Sequence, residues 1–224
     1  MDELVLVANP GGSPTTGEPK VIANERTLGF GANINLGVAA TTAPFVVASN
    51  ADIEVTPGAI ETLRAFAEAH PRCGIAAPQL RYPDGSWQPS RRSFPTVRGT
   101  LVRRTPLRRM LKPEETQRGH YLLDERPTEP VLSDWFLGAF LLLRRELLEE
   151  LGGLDEGYHL YGEDIDLAYR AGKAGWERWY VPDAIVIHRH QAVTDRRFLT
   201  RRTLWHWRGI ARFVRKHPER LRAL

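Results

Sequence analysis

A single cysteine in 224 residues rules out an internal disulfide, and the Cys and His residues together do not make the four-ligand spacing of a zinc site. A reducing compartment is expected. Long apolar runs are also lacking. The longest, Trp135 to Leu143, has nine residues against the roughly 20 that a spanning helix needs, so the chain is not expected to cross a membrane. Its first residues, Met1-Asp-Glu-Leu-Val-Leu-Val-Ala8, carry acid where a secretory signal carries base, so no export signal is expected and the location read is cytoplasmic. There is no internal repeat, no low-complexity tract and no recognisable nucleic-acid-reading module, which argues against nucleic acid as a partner.

What remains is an ordinary globular composition, 42% hydrophobic and 26% charged, enough for one domain with a sizeable core or one domain plus an appendage. The net charge of +4 hides a partition. Residues 196–224 hold ten Lys/Arg and one acid, leaving 21 Lys/Arg against 26 acids in the other 195 residues. Within that acidic remainder, residues 91–112 hold eight Lys/Arg and no acid. Two concentrated basic blocks suit a polyanionic partner such as an anionic lipid surface or a phosphate-bearing substrate.

Leu4 to Ala8 reads as a short buried strand that stops at Asn9-Pro-Gly-Gly, followed by a strand at Lys20 to Ala23 and a Gly- and Ala-rich helix from Gly29 to Ala40. Phe45 to Ser49 is a third strand, and Pro57 opens a helix reaching Ala69. Gly74 to Ala77 reads as a strand and Tyr82 to Ser86 as a tight turn. Residues 90–128 form a long, basic, Pro-dotted surface excursion. Beyond it come a strand at Phe136 to Leu143, helices at Arg145 to Leu151 and Gly162 to Ala174, and strands at Trp176 to Val181 and Ala184 to His188. Strands alternating with helices define the α/β class, whose ligands bind beyond the carboxyl ends of the strands. Asn9, Asn50, Asp52 and His188, each just past or at a strand end, are therefore expected to converge.

Three carboxylates in four residues mark Tyr161-Gly-Glu-Asp-Ile-Asp-Leu167, after a Gly-Gly-Leu-Asp turn at 152–155. At a helix N-terminus, unbonded N–H groups and the macrodipole favour the ionised form, and such a carboxylate can accept a proton from a substrate hydroxyl. A capped helix start is the simpler alternative. Asp52 is a candidate ligand for a hard divalent ion such as Mg2+ or Mn2+, and His188 could join it as a neutral imidazole. In the C-terminal segment Leu204, Trp207, Ile210, Ala211 and Val214 share one helical face. Phe198 and Trp205 fall opposite, among Arg201, Arg212 and Lys216, a pattern suited to anionic lipid at the inner membrane face.

Asn24-Glu-Arg-Thr-Leu-Gly-Phe-Gly-Ala-Asn-Ile-Asn-Leu-Gly37, Val46-Val-Ala-Ser-Asn-Ala-Asp-Ile53 and Trp135-Phe-Leu-Gly-Ala-Phe-Leu-Leu-Leu-Arg-Arg145 stand in a telling order. They are followed by Leu151-Gly-Gly-Leu-Asp-Glu-Gly-Tyr-His-Leu-Tyr-Gly-Glu-Asp-Ile-Asp-Leu167 and Val181-Pro-Asp-Ala-Ile-Val-Ile-His188. Together they resemble inverting glycosyltransferases of family 2, in particular rhamnosyltransferase-like members that build bacterial cell-wall or surface polysaccharide. The resemblance covers nearly the whole chain.

It implies a GT-A (Rossmann-like) fold: a mostly parallel mixed sheet with helices on both faces in residues 1–195, then a basic amphipathic helix in 196–224. By the resemblance, one strand-plus-helix unit of the family is expected to be absent before Leu4, which would leave Leu4 to Ala8 with an unpaired edge. The implied ligands are a nucleotide-sugar donor (dTDP-rhamnose favoured, a UDP- or GDP-sugar also fitting), a glycan or polyprenyl-linked acceptor, and Mg2+ or Mn2+. By position, Asp164 matches the catalytic base and Asp52 with His188 the metal site. Asn9, Asn35, Asn50, Gly138 and Ala139 fall on the donor side, Trp135 is expected to contact the acceptor, and Glu163 and Asp166 either bind the acceptor or cap the helix. The rival expectation is a non-catalytic glycosyltransferase-like partner or scaffold.

Overall fold

The computed structural model describes residues 3–12, 20–94, 122, 126–189 and 201–221. Most of the 90–128 excursion, together with His190 and Phe198, lies outside the described residues, as does the side chain of Arg201. In chain order the elements are β1 (Val5–Ala8), β2 (Lys20–Ala23), α1 (Phe30–Ala39), β3 (Phe45–Ser49), β4 (Ile53–Val55) and α2 (Ala59–Ala69). Next come β5 (Cys73–Arg81), β6 (Trp87–Gln88), β7 (Arg91–Arg92), β8 (Val131–Leu132), β9 (Trp135–Phe136) and β10 (Phe140–Arg144). The chain closes with α3 (Arg145–Leu151), α4 (Glu163–Lys173), β11 (Glu177–His188), α5 (Arg201–Lys216) and a 3-10 turn at Pro218–Leu221.

A mixed sheet in the order β3-β10-β5-β11-β4 forms the centre, with β6 added to β5 and β8 to β11. The sheet is more antiparallel than the alternation of strands and helices suggests. Only β5 and β11 pair in parallel, because β10 runs back between β3 and β5 and β4 returns along β11. β1 and β2 form a separate parallel pair, as do β7 and β9 an antiparallel one.

Alternation along the central strands sends side chains to two cores. Ile75, Ala77, Leu141 and Leu143 face α3 and α4, meeting Leu147, Leu148, Leu167 and Ala171. Ala76, Leu80, Leu142 and Val186 face α2, whose Ala59, Leu63 and Ala67 recur every four residues as one buried stripe. Helices thus cover both faces, as expected. Burying one such leucine fully contributes roughly 2 kcal/mol.

Two expected strands, Trp176 to Val181 and Ala184 to His188, are one strand of 12 residues. Pro182 has no N–H to donate, and the ladder with β5 skips between Val181 and Ile185 instead of ending. The strand β4 and the two-residue strands β6 to β8 were not expected, being too short to show a period, and the expected strand at Phe136 to Leu143 is split into β9 and β10.

The C-terminal helix docks with a different face from the one its apolar spacing suggests. Leu204 and Ala211 are exposed, whereas Gly209 and Phe213 are buried and Arg212 and Lys216 turn inward. Arg212 Nη2 and Lys216 Nζ each reach Asp155 at 2.7 Å, and Lys216 also meets Asp166 at 2.9 Å. These ion pairs correct the expectation that Arg212 and Lys216 face lipid. Among the described residues no helix is long and apolar enough to cross a membrane.

Candidate active site

The site is assembled where β3, β4, β10 and β11 end or begin. Antiparallel pairing sets Ser49 opposite Phe140, and the next residue, Asn50, donates its N–H to the Ala139 carbonyl at 2.9 Å. A short turn leads into β4, whose Ile53 pairs with His188 at the end of β11. Arg189 N–H donates to the Asp52 carbonyl at 2.9 Å and closes this corner. As a result Asp52 Oδ1 lies 3.4 Å from His188 Nε2.

The imidazole is buried, while the Asp52 side chain is 45% exposed. His188 Nδ1 lies 3.0 Å from Gln88 Oε1 on β6. In the tautomer that donates from Nδ1, Nε2 turns its lone pair to the carboxylate. Two acceptors then face each other, an arrangement that a cation or a shared proton satisfies. Among the described residues no group of three His, Cys, Asp or Glu gathers. One carboxylate and one imidazole fit a hard divalent ion that takes its other ligands from phosphate and water oxygens. Gln88, which orients the histidine, was not anticipated, and nothing in its two-residue strand could have announced it.

Asp164 comes from a different element, α4. It sits in the first turn of α4, behind Tyr161 at φ 70° and Gly162 at φ 104°. A left-handed tyrosine is uncommon and is held here from outside, with Gly209 of α5 packed against the Tyr161 carbonyl. Ile165 N–H donates to Asp164 Oδ1 at 2.8 Å and Gly138 N–H donates to Oδ2 at 3.2 Å. A methyl group at Gly138 would stand 3.4 Å from Asp164 Cβ and 3.5 Å from Oδ2. Asp164, Gly138, Ala139 and Asn50 are therefore joined in one row of contacts, with Asp52 on the turn that follows and His188 beside it at the end of β11.

Burial pushes the Asp164 carboxyl above the ordinary range, against the two backbone N–H donors and the positive charge of Arg92. Glu163 is raised to about 8, first by burial and then by the charge of Asp164. Both shifts run against the expectation that the helix N-terminus keeps these groups strongly ionised. Desolvation outweighs the macrodipole here.

Several expected contacts have other work. Asp166 is fully buried and accepts from Arg170 Nε at 2.7 Å and Lys216 Nζ at 2.9 Å, with His217 Nε2 at 2.8 Å. It is the ionic anchor of α5. Glu163 is likewise buried, close to Gly31 at the start of α1, and among the described residues its Oε2 has no hydrogen-bond partner. Trp135 belongs to the core and donates Nε1–H to the Ser93 carbonyl at 3.0 Å.

On the donor side, Asn9 clasps the backbone of Leu28, accepting from its N–H at 2.9 Å and donating to its carbonyl at 3.1 Å. Asn35 holds Leu154 in the same two-way fashion. Both amides hold loops, and their described contacts do not join them to Asp52 or Asp164. Asp155, from the Gly-Gly-Leu-Asp turn, was not singled out. Burial raises its carboxyl, but Arg212 and Lys216 together hold it well below the usual carboxylate range.

A family model described as Glycosyl transferase family 2 matches residues 13–152, and one described as Glycosyl transferase family group 2 matches residues 101–222. The chain is 33% identical over 219 residues to the N-acetylglucosaminyl-diphospho-decaprenol L-rhamnosyltransferase of Mycobacterium tuberculosis, covering 86% of this chain and 68% of that one. It is 35% identical over 92 residues to Rhamnosyltransferase WbbL of Escherichia coli, covering 39% and 34% respectively. Among solved structures, GalNAc-T7 with UDP, GalNAc and Mn2+ aligns with TM-score 0.59 at 20% identity, over 83% of this chain and 37% of that one. The mannosyltransferase PcManGT of Pyrobaculum calidifontis with GDP-Man and Mn2+ aligns with TM-score 0.55 at 18% identity, over 95% and 55%. The chain thus spans less than two thirds of either solved chain. Likeness at that level shows a shared GT-A fold, and the family itself follows from the sequence matches: the chain belongs to glycosyl transferase family 2.

Proposed function

We propose that this protein transfers a sugar, rhamnose or another hexose, from a nucleotide-diphosphate donor to a lipid-linked glycan acceptor in cell-wall or surface polysaccharide synthesis, with inversion at the anomeric carbon. dTDP-rhamnose is the favoured donor and a diphospho-polyprenol sugar the favoured acceptor, in line with the rhamnosyltransferase relative. The observation that carries this reading is the Asp164 carboxylate beside Gly138, in the row of contacts that leads to Asp52 and His188.

Asp164 takes the proton from an acceptor hydroxyl as that oxygen attacks the anomeric carbon from the face opposite the nucleotide. Burial makes it a stronger base than an exposed aspartate, while the Ile165 and Gly138 N–H groups fix its plane. Asn50, Gly138 and Ala139 line the donor side, where small side chains let a sugar come close to the backbone. Asp52 and His188 would hold a divalent cation, which when bound would neutralise the charge that grows on the departing diphosphate. Contact with an anionic membrane falls to the exposed α5 face that carries Leu204, Arg208, Ala211 and Arg215.

A non-catalytic partner or scaffold is the second reading. It draws on Asn9 and Asn35, whose amides are committed to loops. Calorimetric titration of dTDP, UDP and GDP, each with Mn2+, separates the two. The transferase is expected to bind one of them at least tenfold more tightly than the Asp52→Ala variant does. Binding of none overturns it.

A further inference from the structure

The helix α5 spans 16 residues and carries Gly209 near its middle, where an alanine would favour the helix. What the glycine faces explains the choice. A methyl group at Gly209 would collide with the Tyr161 carbonyl oxygen, and a methyl group at Gly162 would stand 3.7 Å from Gly209 Cα. The two glycines thus bring the α5 backbone against the peptide that joins Tyr161 to Gly162.

That peptide is one rigid plane, so whatever holds the Tyr161 carbonyl also sets the direction in which the chain enters Gly162. Gly162, at φ 104°, is the residue from which α4 starts, and its carbonyl accepts the Asp166 N–H at 2.9 Å. Tyr161 holds φ 70°, a conformation that a tyrosine keeps where its surroundings impose it.

Further ties from α5 flank this peptide. Lys216 Nζ donates to Asp155 Oδ2 at 2.7 Å, ahead of the turn, and to Asp166 Oδ2 at 2.9 Å, in the first turn of α4. Arg212 donates to Asp155 Oδ1 at 2.7 Å and lies 5.4 Å from the centre of the Tyr158 ring, and His206 packs edge-on against Tyr161 at 5.4 Å. These contacts fall on both sides of Asp164, whose own described hydrogen bonds are with Ile165 and Gly138.

Little slack remains at that carboxylate. The Gly138 N–H meets Asp164 Oδ2 at 3.2 Å, the long end of the hydrogen-bond range, so a shift of about half an ångström in the first turn of α4 breaks the bond. Misplacing a reacting group by about 1 Å costs on the order of 10²-fold in rate.

Resting on the reading of Asp164 as the base, we infer that α5 is the brace that aims this carboxylate at the acceptor, and that Gly209 is a positioning residue acting through the Tyr161–Gly162 peptide.

Transfer kinetics with dTDP-rhamnose and a short-chain diphospho-polyprenol sugar, run well below the melting temperature, are paired with amide exchange at Gly138. In Gly209→Ala, kcat should fall at least about tenfold with the donor KM within about twofold of wild type, and the Gly138 N–H should exchange about tenfold faster relative to the amides of β5. Helix propensity alone predicts the opposite, a firmer α5 and an unchanged kcat. Lys216→Met keeps the stem of the side chain and leaves Arg212 on Asp155 and both Arg170 and His217 on Asp166, so it should fold and show the same pattern at about threefold. It carries the test alone if Gly209→Ala does not fold. An unchanged kcat in the folded variants, loss of donor binding in step with kcat, or Gly138 exchange equal to wild type overturns the inference. Faster Gly138 exchange in the variants of a protein whose wild type transfers no sugar supports the brace and counts against the transferase reading alone.

Discussion

Replacing Asp166 by Asn keeps the shape of the side chain and removes its charge, and the consequences can be worked from its surroundings. The carboxylate is completely buried and faces Arg170, Lys216 and His217 within 2.9 Å, with the Tyr158 hydroxyl at 3.4 Å. Removing one member of a buried ionic cluster costs about 3–5 kcal/mol, since the partners are left as uncompensated charges. Two features reduce that figure. Lys216 is a third exposed and keeps Asp155, and Arg170 keeps the carbonyls of Leu151 and Gly153. A loss of about 3 kcal/mol is therefore expected, roughly 6–12 °C in Tm for a chain of this size. Calorimetry measures the total, and amide exchange shows where it falls, with faster exchange expected in α5 before α4. A Tm within about 2 °C of wild type, or unchanged exchange in α5, would refute the assignment of Asp166 as the anchor of that helix.

Glu163→Gln removes a group whose proton affinity rises from an ordinary value of 4.5 to about 8 on folding. The folded protein holds that proton more tightly than the unfolded chain, so its contribution is intact below about 4.5 and disappears as pH climbs through about 8. Urea titrations at pH 5 and pH 8.5 should show wild type losing up to about 4 kcal/mol more than the variant, and parallel losses would contradict the burial argument. Gly138→Ala places a methyl in ordinary contact with Asp164, so stability should change by less than about 1 kcal/mol while kcat/KM falls at least about tenfold. Full activity in that variant would show that the acceptor hydroxyl does not approach over Gly138.

The elements legible in the sequence were those long enough to show a period. α2 carries its Ala59, Leu63, Ala67 stripe openly, and the apolar run of β10 marks a strand buried on both faces. β4 has only three residues, yet its pairing with the end of β11 is what brings Asp52 to His188. The candidate metal pair was thus named from strand-end positions, while the reason for its closeness lay in a strand too short to notice. Burial was equally hidden. Helix position argues for ionised carboxylates at 163 and 164, but desolvation by residues remote in sequence reverses the direction. In α5, hydrophobic spacing grouped Leu204 with Trp207, Ile210, Ala211 and Val214 on one face, whereas Asp155 and Asp166, some 50 or more positions upstream, draw Arg212 and Lys216 inward and leave Leu204 and Ala211 exposed.

Among single measurements, steady-state transfer and donor binding in Asp164→Asn test the central claim most directly. The amide keeps a hydrogen-bond acceptor for the Gly138 N–H but cannot take a proton at neutral pH. Loss of kcat by about 10²–10⁴ with donor affinity unchanged within about twofold is the expected result. Turnover above about a tenth of wild type, or loss of donor binding in step with activity, would contradict the role of Asp164 as the base.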